Sequence, residues 1–212
     1  MDPLVVTLII GFVILSLGVH EAAHAWVADL CGDDTAKREG RLTLNPVPHI
    51  DPVMTILLPA ILAFSGGPIF GGARPVPVNP MRLRHPLRDM MLVALAGPIS
   101  NFLQAIVYTV VLKILVYEVR MEKDSLAVVV MGYTVSINLL LTAFNMIPVP
   151  PLDGSRVMAY LLPPSLREPY VGLERFGLLI IFALFLTGAF NVVLSVIDPM
   201  REAVDFLTGG TW

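Results

Sequence analysis

Two histidines four residues apart with a glutamate beside the first, His20-Glu21-Ala22-Ala23-His24, are the residues of this 212-residue chain best suited to do chemistry. On a helix a spacing of four puts both imidazoles on one face, one turn apart, so both can reach a single ion. Neutral imidazole suits zinc, and a catalytic zinc takes three protein ligands and keeps a fourth position for water. The carboxylate of Glu21 is placed to take a proton from that water. The motif sits in the C-terminal third of an apolar run from Leu4 to about Leu30, and ionisable groups inside such a run are costly and mark function.

A third ligand must come from elsewhere. Cys31 is the single cysteine, which excludes an intramolecular disulfide and a cysteine-built zinc site. His49 and His85 lie in loops rich in arginine and proline and read as surface residues. Among the acids, Asp153 follows an apolar run directly, inside Pro148-Val149-Pro150-Pro151-Leu152-Asp153-Gly154. Non-helical backbone at membrane depth is tolerated where it is buried in protein or lines a wet cavity, so this bend can turn a carboxylate toward the first helix. Asp29 and Asp51 are rivals, each near the end of an apolar run, although Asp29 follows His24 too closely to aim easily at the same ion.

The elements that must position these groups are membrane helices. The chain is 56% hydrophobic and 15% charged with a mean hydropathy of +0.77, against about 45–50% and about 25% in soluble domains. Its net charge of −3 comes with no basic block, which leaves no electrostatic footprint for nucleic acid. Five apolar runs stand out: Leu4 to about Leu30, about Ile50 to Phe64, about Met90 to Tyr117, Leu126 to Ile147 and Val171 to Ile197. A span needs roughly 20 such residues. The expected architecture is therefore all-α, a polytopic bundle of four to five transmembrane helices forming one integral membrane domain over residues 1–212. The stretch from Ser65 to Pro80, dense in glycine and proline, is expected to form an irregular hairpin or a re-entrant segment. Pro98 should kink the third run, and Gly11, Gly18 and Ala25 recur every seven residues as a small-residue packing stripe.

Taken together, the two motifs resemble the site-2 protease family of intramembrane zinc metalloproteases, peptidase family M50. HEAAH in a membrane helix is followed after a later span by NMIPVPPLDG, where Asn145, Pro148, Pro151, Asp153 and Gly154 nearly meet the family's second motif. Gly97 and Asn101, in AGPISN, match a further glycine and asparagine four apart. The resemblance implies that His20, His24 and Asp153 bind one Zn2+ per chain and that Glu21 activates the water; the chain departs from the family's frequent PDZ or CBS domains, and a compact form is expected. It implies hydrolysis of peptide bonds in or near the transmembrane segments of other membrane proteins.

Ligands on two spans require the C-terminal ends of the first and fourth runs, and the start of the third, to share one side of the bilayer. Lys37, Arg38, Arg41, Arg74, Arg82, Arg84, Arg88, Arg156, Arg167 and Arg175 all fall on that side. Such residues favour the cytoplasm, so the expectation is a multi-pass protein of the cell membrane with its active site toward the cytoplasm. Asn101 and Asn145 are candidates to hold a developing oxyanion or the substrate backbone, and both equally fit a role in interhelical hydrogen bonding. The irregular stretch from Gly66 to Val78 is a candidate edge for an unwound substrate, partial because PVPV has few donors. The alternative function is a membrane metal-binding scaffold or transporter without peptidase activity. Nothing in the sequence sets the oligomeric state.

Overall fold

The computed structural model describes residues 2–57, 61, 71–188 and 190–209. Among these the chain is helical with no strand. Helix α1 (Pro3–Leu30) opens on a proline, whose missing N–H has no intrahelical partner at that position anyway. The Asp2 carboxylate caps it by accepting the Leu4 N–H at 2.8 Å. The helix ends at Cys31–Gly32, where Gly32 turns the chain with φ +109° and the Asp33 N–H returns to the Ala28 carbonyl at 2.9 Å. A short helix α2 (Thr35–Arg38) follows.

Helix α3 (Pro86–Lys113) continues through Pro98 and widens into a π-helical turn at Ile114–Glu118. Helix α4 (Leu126–Asn145) leads into the proline bend and then α5 (Gly154–Leu161), α6 (Pro164–Val171), α7 (Gly177–Leu186) and α8 (Phe190–Leu207). Helices α1, α3 and α4 pack on one another; α5 lies against α3, and α8 against α4 and α3. Burial in this bundle differs from a soluble protein's in what lies between the helices and what faces out. Ser16, Asn101, Thr109, Thr134 and Asn138 are almost wholly buried, whereas Ile10, Leu103 and Val107 are more than half exposed. Apolar side chains pointing outward from a polar seam are what a lipid solvent selects, and the chain is an integral membrane protein.

Three helices among the described residues are long and apolar enough to cross a bilayer: Pro3–Leu30, Pro86–Glu118 and Leu126–Asn145. The expected count of four to five is not reached this way. The run from Val171 to Ile197 is divided between α7 and α8 by a turn at Thr187–Gly188, with Gly188 at φ +72°. Helix α8 also carries Asp198, Arg201, Glu202 and Asp205. Two of these charges are met within the protein: Lys113 Nζ lies 3.7 Å from Asp205, and Arg201 donates to Ser136 Oγ at 2.7 Å. Of the second run, Pro52–Leu57 forms a π-helical turn. Residues 58–60 and 62–64 of that run, with 65–70 of the glycine- and proline-rich stretch, lie outside the described residues.

The shared side inferred from the ligands is built into the backbone. Arg84, just before α3, donates its N–H to the Cys31 carbonyl at the end of α1 (3.1 Å). Asp33 accepts the Thr35 and Asn79 N–H groups at 3.1 and 2.6 Å, which ties the same corner to the segment leading into α3. The small-residue stripe works in part: Ala25 is fully buried and Gly18 faces Pro46 at 3.2 Å from where a Cβ would stand, but Gly11 meets no neighbour.

Candidate metal centre

The one-turn offset between His20 and His24 brings their Nε2 atoms to 3.0 Å. The proline bend brings the Asp153 Oδ2 to 3.3 Å from His20 Nε2 and 3.5 Å from His24 Nε2. Donor atoms about 2.0–2.2 Å from a tetrahedral zinc stand roughly 3.3–3.6 Å apart, so the triangle has the size of three zinc ligands. This is also the one group of three or more metal-ligating side chains found among the described residues.

The far side of each ring fixes the tautomer. His24 Nδ1 donates to the Val93 carbonyl at 2.7 Å and His20 Nδ1 donates to Asn101 Oδ1 at 2.7 Å. With both protons committed there, both Nε2 atoms present lone pairs, and they converge on each other and on a carboxylate. Three acceptors at these distances repel unless a cation stands between them, which is the arrangement metal-binding histidines adopt.

Two glycines make the convergence sterically feasible. Gly97 lets α3 pass directly over the imidazoles: a Cβ there would lie 2.5 Å from His20 Cε1 and would overlap His24 Nε2. Gly154 lets the start of α5 fold back on the end of α4, since a Cβ would overlap the Met146 carbonyl oxygen. Asp153, although it stands at the N-cap of α5, makes no capping bond; its carboxylate is turned to the histidines instead.

Glu21 is buried, and its Oε2 accepts the Val76 N–H at 3.0 Å. The asparagines separate. Asn101 is fully buried against His20, whereas Asn145 Nδ2 donates to Leu141 of its own helix at 3.0 Å. Neighbouring polar groups knit the helices together: Asn138 donates to Ser16 Oγ at 3.0 Å, and Thr142 to the Pro98 carbonyl at 3.3 Å. The rival acids are engaged elsewhere, Asp29 with Lys37 at 3.0 Å and Asp51 with the Val53 and Met54 N–H groups at 2.8 Å. His85 is exposed, but His49 is a correction: it is 2% exposed, its Nε2 bonded to the Thr43 carbonyl at 3.1 Å. The loop that carries it is packed against α1 at Gly18 through Pro46.

A His–His–carboxylate triangle inside an apolar helical bundle has the make-up of a catalytic zinc site. The comparisons agree. The model of peptidase family M50 matches residues 113–188. The chain is 40% identical over 211 residues to "Putative zinc metalloprotease YwhC" of Bacillus subtilis, covering 96% of this chain and 90% of that one. The Rip2 proteins of Mycolicibacterium smegmatis and Mycobacterium tuberculosis H37Rv, which carry the same designation, are 29% and 30% identical; the matches cover 87% and 88% of this chain and 68% and 70% of theirs. No solved structure matches. The chain belongs to peptidase family M50, the site-2 protease family.

Proposed function

We propose that this protein is an intramembrane endopeptidase that holds one zinc ion per chain on His20, His24 and Asp153 and cleaves transmembrane segments of other membrane proteins with Glu21 as general base. The observation that carries the reading is the convergence of two Nε2 lone pairs and one carboxylate oxygen at 3.0 to 3.5 Å, with both Nδ1 protons already committed.

When bound, zinc lowers the pKa of water and polarises a carbonyl. Glu21 takes the proton of the attacking water and passes it to the leaving amine. Asn101 and the Val93 carbonyl keep the imidazoles in the tautomer and orientation that expose Nε2. The buried setting strengthens each of these interactions and keeps bulk water from the helices. A helical substrate must unwind before its carbonyls can be attacked, because in a helix they are hydrogen-bonded.

The wall nearest Glu21 is the segment 71–79. One side of it is already engaged. Gly72, Arg74 and Val76, alternate residues, give their N–H groups to Met54 O, His49 O and Glu21 Oε2 at 3.1, 2.8 and 3.0 Å. The prolines at 75 and 77 leave the other side nearly without donors, and the Pro75 carbonyl there accepts from Arg41 at 3.2 Å. Topologically, the basic residues clustered at the α1–α3 corner favour the cytoplasmic side of the cell membrane for this site.

The test is reconstitution of the full chain with zinc and a single-span substrate. Cleavage that a chelator abolishes, that zinc restores and that Glu21→Gln lowers by several orders of magnitude supports the reading. Cleavage untouched by chelator or by Glu21→Gln refutes it.

A further inference from the structure

We propose that Arg41 is a positioning residue for Glu21, acting through the backbone of Arg74–Val76. The inference rests on the reading of Glu21 as general base and deepens it. Arg41 lies outside the motifs, in the loop that follows α2, where its N–H is bonded to the Ala36 carbonyl at 2.8 Å. It is nevertheless 6% exposed. Its Nη2 donates to the Arg74 carbonyl at 2.6 Å and to the Pro75 carbonyl at 3.2 Å. The next backbone donor along is the Val76 N–H, and that donor is given to Glu21 Oε2 at 3.0 Å.

The sequence around this contact leaves little slack. Val76 stands between Pro75 and Pro77, so its N–H is the single backbone donor of the tripeptide, and it is spent on the glutamate. Occupying Oε2 fixes the carboxylate's rotation and leaves Oε1 for the water. The segment has no helix or strand of its own to hold it. Its place is set by the loop of residues 41–55: Met54 and His49 accept its N–H groups, Thr55 Oγ1 donates to Gly72 O at 2.6 Å, and Arg41 grips the two carbonyls just before Val76. A guanidinium can offer one planar group to two adjacent carbonyls, which an ammonium on a flexible stem does less well. Arg41 and Glu21 also feel each other's charge: burial and the Arg74 charge disfavour the guanidinium's ionised form, while Glu21 and then Glu39 favour it.

Two measurements on the full-length protein test this, one independent of catalysis. Site-resolved hydrogen exchange by NMR reads the Val76 amide, the one backbone N–H of the Pro75–Val76–Pro77 tripeptide. Val76 should be protected in the wild type with or without zinc, exposed in Glu21→Ala and in Arg41→Ala, and intermediate in Arg41→Lys. In cleavage assays Arg41→Ala should lower kcat by up to about 100-fold, with KM and zinc content held within about threefold. Millimolar guanidinium should recover part of that loss, and sodium at equal ionic strength should not. Val76→Pro, which deletes the donor and leaves Arg41 in place, should lose kcat at least as much and gain nothing from guanidinium. Fast exchange of Val76 in the wild type, or Arg41→Ala and Val76→Pro enzymes with unchanged kcat, would overturn the proposal. If instead cleavage survives Glu21→Gln, the reading of Glu21 itself fails, and the exchange result still decides whether Arg41 controls the Val76 contact.

Discussion

Gly97 of α3 lies against His24 of α1 so closely that a methyl group on its Cα would overlap the ring Nε2 that faces His20 and Asp153. The two helices meet there because one of them has no side chain. On an exposed helix Gly→Ala gains about 1 kcal/mol from backbone propensity. At this position the overlap dominates, since overpacking costs about 1–3 kcal/mol. Gly97→Ala should keep its helical circular dichroism while zinc affinity falls roughly 5–150-fold and cleavage falls with it. Stoichiometric zinc in Gly97→Ala under competition with a buffered chelator would contradict this account.

Asn101 and Asn145 look alike in sequence, both in polar positions of membrane helices, and the structure predicts different behaviour. Asn101 accepts the His20 Nδ1 proton, and partners of this kind typically cost about 10–100-fold in metal affinity when removed. Asn145 bonds within its own helix. Asn101→Ala should therefore weaken zinc binding by about 10–100-fold, and Asn101→Asp, which keeps an acceptor oxygen, should weaken it less. Asn145→Ala should leave zinc affinity unchanged. Equal zinc affinities in Asn101→Ala and Asn145→Ala would show that His20 does not depend on the amide.

Zinc should also act as a folding ligand, because the triangle joins α1 to a bend 129 residues further along, from His24 to Asp153. A ligand present at about 1,000 times its Kd stabilises the folded state by about 4.1 kcal/mol. A chelator should lower the apparent Tm of the wild-type protein in detergent, and Asp153→Ala should have that lower Tm with or without chelator. A chelator shift of full size in Asp153→Ala would remove Asp153 from the ligand set.

The convergence of His20 and His24 was legible because a four-residue spacing puts both on one helical face; Asp153 was conspicuous at the end of an apolar run, beside the rivals Asp29 and Asp51. The all-helical class followed from composition. What the sequence hid was of two kinds. Backbone groups have no letter: the Val93 carbonyl that orients His24 and the Val76 N–H that holds Glu21 belong to residues whose side chains say only "apolar". Long-range closure hides too. His49 and Arg41 read as loop residues because nothing local shows that Pro46 seats their loop on Gly18. The division of the last run was written in Thr187–Gly188, but a hydropathy reading averages over such a turn.

Gly154 and Asp153 are neighbours with different tasks, and their combination gives a sharp test. Gly154→Ala would overlap the Met146 carbonyl oxygen, a backbone atom that cannot swing aside, so the bend must open and carry Asp153 away from the histidines. Asp153→Ala keeps the bend and removes the ligand. Each single variant should lose most of its zinc affinity. If both act through the same carboxylate, the double variant should bind zinc no worse than Asp153→Ala alone, a strongly non-additive cycle, whereas independent sites usually add to within about 0.3–0.5 kcal/mol. The measurement is a zinc competition titration on the four proteins. An additive result would mean that the bend supports the two imidazoles by some route other than Asp153, and the three-ligand triangle would have to be redrawn.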